Sequence, residues 1–131
     1  MPDNNKITAL YCRVATADQP AIDLQRENLR AYAKRQGYEN IEIYEDNGKS
    51  GLTFDRPGMN RLQSDIHDGK VGRIVTVSLS RIGRNSIRIA EWMSKLKEMG
   101  VAFETPDRSH ELVSLLDTHR SLSKTKNQPE R

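Results

Sequence analysis

Cysteine is scarce in this chain. A single cysteine, Cys12, stands among 131 residues. It excludes an internal disulfide and fits a reducing compartment. Aromatic residues are few, at 5%, and hydrophobic residues make up only 35% against 30% charged. That balance describes a rather polar domain with one core, the size expected for this length. No apolar run approaches the length of a membrane-spanning helix, and Met1 to Lys6 lack the core of a signal peptide. No Walker-type glycine loop is present; Gly48 and Gly51 read as turn residues. His67, His110 and His119 lack metal-ligand spacing and read as surface residues, so no metal and no cofactor are expected. No internal repeat is present. The net charge of +3 leans mildly toward anionic partners.

What is present is an alternation of strand and helix patterns. Ile7 to Val14 reads as an apolar strand. Pro20 to Gln36 reads as a helix, capped by Asp18 or a neighbour and ended by Gly37, with Leu29, Tyr32, Ala33 and Gln36 on or near one stripe and Gln25 a turn earlier. Ile41 to Glu45 is a short strand delivering Asp46 to its carboxyl end. The turn-rich stretch from Asn47 to Phe54 reads as a mobile loop. Asp55 is expected to cap a helix with Met59, Leu62 and Ile66 inward. Ile74 to Leu79 reads as the most buried strand. A further helix starts at Asn85 or Ser86, with Ile89, Trp92, Met93 and Leu96 inward, and Val101 to Phe103 is the last strand.

This order predicts an α/β fold of three layers: a mostly parallel sheet of four to five strands with helices on both faces. The domain is expected over 1–106. Residues 107–131 are expected to hold a short helix from His110 to His119 and a disordered basic tail from Ser121.

In a parallel sheet the carboxyl ends of the strands share one edge, where ligands bind. Strand parity puts Tyr11, Arg13 and Ala15 on one face and Leu10, Cys12 and Val14 on the other. An arginine on a buried strand needs an anionic answer. Arg81 and Arg84 are three apart, so a helical turn would present both to the same edge, with Arg88 a turn later. Guanidinium groups suit phosphate oxygens in charge and in fork geometry. The sequence therefore predicts a shallow anionic site made by Arg13, Arg81 and Arg84.

The pattern Tyr11-x-Arg13-Val14-x-Thr16-x-x-Gln19, followed by Asp46, Ser50-Gly51, Asp55-Arg56-Pro57 and Arg81-Ile82-Gly83-Arg84, resembles the serine recombinases of the resolvase/invertase family. The resemblance runs from Ile7 to Glu104, the bulk of a resolvase catalytic domain. Each motif alone is weak; the ordered set is specific. The resemblance implies a serine that attacks a DNA phosphodiester and forms a 5′ phosphoserine, with arginines rather than a metal stabilising the transition state. It implies Arg13, Arg81 and Arg84 as the clamp, with Tyr11, Gln19, Gln25 and Asp46 positioning or supporting it. Ser50, Arg56 and Arg88 would join the phosphate contacts. The implied partner is double-stranded DNA, the full-length form a dimer or tetramer, the setting a prokaryotic cytoplasm with its nucleoid, and the context mobile DNA and DNA integration.

The chain departs from that pattern at three places. Ala15 stands where the family has its nucleophilic serine, so this chain is expected to be inactive as given. Ser80 stands where an aspartate often precedes the first arginine. Past Glu104 there is no long amphipathic helix or helix-turn-helix domain, so the chain reads as truncated or degenerate after its core. Two other readings compete: a non-enzymatic, DNA-associated regulatory module on the same fold, and a flavodoxin-like domain for a small phosphorylated ligand.

Overall fold

The computed structural model describes residues 6–111. Among the described residues the elements run β1 (Ile7–Val14), α1 (Gln19–Gln36), β2 (Ile41–Asn47), α2 (Pro57–His67), β3 (Val71–Thr76), α3 (Leu79–Ile82), α4 (Ser86–Glu98) and β4 (Ala102–Glu104). The strands form one parallel sheet in the order β2-β1-β3-β4. β1 lies in the middle and is buried along nearly its whole length.

The alternation along β1 divides the core in two. Leu10, Cys12 and Val14 pack with Val75 against Ile22, Leu29 and Ala33 of α1. Ala9 and Tyr11 pack with Ile74 against Met59, Leu62 and Ile66 of α2 and against Ile82, Ile89, Trp92 and Leu96 of α3 and α4. One helix thus covers one face and three cover the other, giving three layers. Among the described residues no helix is long and apolar enough to cross a membrane.

Several expected boundaries shift, each for a local reason. β3 is Val71–Thr76, not Ile74 to Leu79, because Ser78 turns the chain and Leu79 and Ile82 point inward from α3 instead. Gly72 and Arg73 look unlike strand residues, but Arg73 sits between Thr8 of β1 and Ala102 of β4 in the ladder. β4 is one residue later than expected. On α1 the buried stripe is Ile22, Gln25, Leu29 and Ala33, with Tyr32 half-buried and Gln36 exposed. Asp55 does not cap α2; its Oδ1 accepts from Asn60 Nδ2 at 3.0 Å, and Arg56 holds the cap position without a side-chain bond.

The caps of the other long helices follow the sequence. Asp18 Oδ1 accepts the Ala21 amide at 3.0 Å and Asn85 Oδ1 the Arg88 amide at 3.1 Å, each satisfying a first-turn donor. The rest of the expected helix to His119 and the basic tail lie outside the described residues.

Candidate active site

Arg13 lies next to the end of β1 and is 5% exposed. Its guanidinium is held by three backbone carbonyls: Nε donates to Arg81 O at 2.9 Å, Nη1 to Lys49 O at 2.7 Å and Nη2 to Ser80 O at 2.8 Å. One side chain therefore ties β1 to the loop after β2 and to α3. Burial first, then the charge of Arg56, pushes its pKa below the usual arginine range.

The backbone of Arg13 is held by Gln25. The last pair between β1 and β3 is Tyr11 with Thr76. A residue's N–H and C=O leave a strand on the same side, so the turn of β3 into α3 would strand both groups of Arg13. Gln25, buried on α1, fills the gap: Oε1 accepts the Arg13 amide at 3.1 Å and Nε2 donates to the Arg13 carbonyl at 2.9 Å. The side-chain amide stands in for one residue of a neighbouring strand.

Asp46 is 2% exposed and accepts three hydrogen bonds: from Tyr11 Oη at 2.7 Å, the Gly58 amide at 2.7 Å and the Met59 amide at 3.0 Å. It is the anion at the amino end of α2, the place expected of Asp55. Gly58 permits this, since a Cβ there would lie 2.5 Å from Glu45 O and 2.9 Å from Asp46 Oδ2. Burial, reinforced by the bond to Asp46, pushes the Tyr11 phenol well above its usual range.

Arg56 is 1% exposed, so it does not offer itself to a DNA backbone. Its guanidinium lies 5.7 Å from the Tyr11 ring and 5.6 Å from the Phe54 ring, donates to Ser50 O at 3.4 Å and bonds the Ile82 carbonyl. Its place is beneath the site, joining the loop to α3.

The arginines expected to share a helical face do not. α3 ends at Ile82 and an extended Gly83 separates Arg81 from Arg84. They reach the same edge by another route. The Arg84 amide donates to Gly51 O at 3.1 Å, and a Cβ on Gly51 would lie 2.8 Å from Arg13 Nη2 and 3.2 Å from Arg84 Cγ. Arg13 and Arg84 thus flank Gly51. Arg81 is half-buried, close enough to depress the Arg13 pKa, and its Nε is buried without a hydrogen-bond partner. Arg84 is exposed. Arg88 is exposed on α4, with its guanidinium 5.6 Å from the Phe54 ring.

The loop from Asn47 to Phe54, expected to be mobile, is bonded to the end of β1 at its start. Val14 O accepts the Gly48 amide at 2.8 Å and the Lys49 amide at 3.1 Å, and Gly51 is buried. Ser50 is exposed, and its Oγ accepts the Leu52 amide at 3.0 Å. Gln19, at the start of α1, is exposed and bonded to Asp23 and Asn47. Ala15 is exposed one residue past β1. Cys12 faces the other side of the sheet, and burial pushes its thiol up to about 12, leaving no nucleophile there.

Chemically, the edge presents a fixed guanidinium, a second with a buried donor to spare, and a third reaching solvent, with Asp46 turned inward to α2. Guanidinium groups are suited to anions with several oxygens. Motif reading named these residues but not the contacts each makes. A polar Gln25 on an otherwise apolar stripe was the available signal for its clamp.

A family model described as the resolvase N-terminal domain matches residues 8–124. A putative DNA recombinase of Bacillus subtilis is 34% identical over 80 residues, covering 58% of this chain and 15% of that protein. The chain thus spans only a small part of this relative's length. The N-terminal catalytic domain of TP901-1 integrase superposes with a TM-score of 0.78 at 23% identity, covering 92% of this chain and 98% of that one. A resolvase family site-specific recombinase from Streptococcus pneumoniae superposes with a TM-score of 0.68 at 27% identity, covering 92% and 89% respectively.

Proposed function

The chain belongs to the resolvase N-terminal domain family, and from that premise we propose that it is the catalytic scaffold of a serine site-specific recombinase whose nucleophile position is held by Ala15. Double-stranded DNA is its ligand, bound through one phosphodiester at the carboxyl edge of the sheet. The observation that carries this reading is the arginine set itself: Arg13 fixed by three carbonyls, Arg81 with a buried unpartnered Nε, and Arg84 across Gly51 from Arg13 and open to solvent.

With serine at position 15, the chemistry runs as follows. The hydroxyl oxygen gives up its proton and bonds to phosphorus, the bond from phosphorus to the 3′ oxygen breaks, and that oxygen takes up a proton in exchange and leaves as the 3′ hydroxyl. The phosphoserine left on the 5′ end keeps the ester energy for the reverse step. The arginines stabilise the charge gathered on the phosphoryl oxygens, work done in other phosphoryl transfers by metal ions. Arg13, Arg81 and Arg84 are the groups that touch phosphate. Tyr11, Asp46, Gln25 and Arg56 act through them by fixing β1, α2 and the loop. Gln19, Ser50 and Arg88 are exposed around the rim and suit contacts to the flanking backbone. With alanine at position 15 the bonding step has no oxygen to make it, so the chain binds without cutting. Assembly to a dimer or tetramer belongs to the longer form of such a protein.

The same alanine favours a second reading, a DNA-associated regulatory module that never cuts. Two measurements test the account. Binding of short duplexes as a function of salt should weaken on Arg84→Ala. The variant Ala15→Ser separates scaffold from module, since only a scaffold gains a covalent link to DNA.

A further inference from the structure

The turn that follows β4 takes no part in the arginine set, yet it is bonded to the element that carries it. The turn is closed on itself. His110 Nδ1 accepts the Thr105 amide at 3.1 Å, Thr105 Oγ1 accepts the His110 amide at 3.2 Å, and Asp107 Oδ1 accepts the Ser109 amide at 2.8 Å. Arg108, at φ 66°, makes the reversal, and Thr105 is 2% exposed. So built, the turn holds the Ser109 hydroxyl 3.0 Å from the Leu79 amide, which donates to it.

Leu79 opens α3, a helix of four residues. First-turn amides have no partner within their own helix, and Ser78 at the cap position makes no capping side-chain bond, its Oγ being paired with Ser80 Oγ at 2.7 Å. Ser109 supplies the missing acceptor from 30 residues away. The other end of α3 is held from the site itself, by Arg13 on the carbonyls of Ser80 and Arg81 and by Arg56 on that of Ile82. A single turn of helix has little bonding of its own and keeps its place through these outside contacts.

We propose that Ser109 is a positioning residue for the arginine centre: by capping α3 it sets the carbonyls that aim the Arg13 guanidinium and the segment that bears Arg81. The inference rests on reading that centre as a phosphodiester site. It makes the turn after β4, otherwise a connector, part of what determines the reactive geometry.

The test uses the full chain labelled with nitrogen-15, as Ser109→Ala and Ser109→Thr. Hydrogen exchange is followed at the Leu79 amide and at Arg13 Nε. The rate and half-saturation of covalent DNA attachment are followed in the Ala15→Ser background. Ser109→Ala should speed exchange at Leu79 by about tenfold, the scale of one lost hydrogen bond. It should also speed exchange at Arg13 Nε, which Ser109 does not touch. The saturated attachment rate should fall while half-saturation moves less than the rate, and Ser109→Thr should restore all three. A purely local role for Ser109 would change Leu79 and leave Arg13 Nε alone; that result overturns the proposal, as does unchanged exchange at Leu79. Should Ser109→Ala fail to fold, Ser109→Cys, a poorer acceptor of similar size, carries the same comparison. Absence of any attachment with Ser109 intact would refute the phosphodiester reading instead, and the exchange rates would still decide the role of Ser109.

Discussion

The carboxamide of Gln25 closes on both backbone groups of Arg13, accepting its amide at 3.1 Å and donating to its carbonyl at 2.9 Å. This pair holds the end of β1 straight where β3 has turned away, and it leaves the Arg13 side chain free to tie the loop to α3. Replacing Gln25 by leucine would keep the volume and leave two buried backbone groups unpaired. The expected cost is about 2–6 kcal/mol, at the usual penalty of about 1–3 for each unsatisfied group, measured by urea unfolding. DNA affinity should fall with it, since Arg13 loses its seat.

Arg56 and Arg84 should part company experimentally. Arg84→Ala should leave the unfolding midpoint nearly unchanged and reduce the salt slope of DNA binding by about one, as expected of a solvent-reaching phosphate contact. Arg56→Ala removes a side chain that is 1% exposed and bonded to the Ile82 carbonyl. It should destabilise the fold by about 3–5 kcal/mol, the range for emptying a large buried site, and any loss of binding should track that loss of structure. Chemical denaturation and salt-dependent fluorescence anisotropy on both variants make the comparison.

Gly51 is a close-approach glycine. A methyl group there would stand 2.8 Å from Arg13 Nη2. Gly51→Ala should cost about 1–3 kcal/mol, the usual range for overpacking, and displace the guanidinium, weakening phosphate binding more than Ser50→Ala does. Calorimetric titration of both variants with a short duplex reads the difference.

Stability should decline in alkali. Burial first, then nearby Glu45, raises the Cys12 thiol to about 12, and burial raises the Tyr11 phenol beyond its usual range. A group whose folded pKa is raised contributes stability in full below its unfolded pKa and loses it as pH climbs toward the folded value. For Cys12 that window opens at about 8.5, the ordinary thiol value, and closes near 12; the Tyr11 contribution starts to fall at about 10, the ordinary phenol value. Urea midpoints should therefore fall from pH 8 to pH 11, and Cys12→Ala with Tyr11→Phe should flatten the decline.

The sequence showed the alternation of elements, the two faces of β1 and the residues that meet at the sheet edge, because those follow from periodicity and from an ordered motif set. It did not show how they divide their work. Asp55 had the local position of a cap, but Asp46 arrives from β2 with better geometry and takes the α2 amides. Arg81 and Arg84 had helical spacing, but Gly83 ends α3 between them, and the Gly51 carbonyl brings Arg84 back. Arg56 was implied as a phosphate contact by its motif, and only the packing of Tyr11, Phe54 and α3 around it places it inside. Each miss is a long-range contact overriding a local signal.

The proposed phosphodiester site should gain its attacking oxygen when residue 15 is serine. The most direct measurement incubates the chain and its Ala15→Ser variant with nicked duplexes bearing a 3′-bridging sulfur at the labile bond, where the leaving thiolate eases cleavage. Denaturing gels and mass spectrometry then read covalent attachment. The account predicts attachment at a 5′ end for Ala15→Ser, through residue 15, and none for the chain with alanine. Attachment by the alanine chain, through Thr16, Ser50 or Cys12, would contradict it, as would an Ala15→Ser variant that binds these duplexes and never links to them.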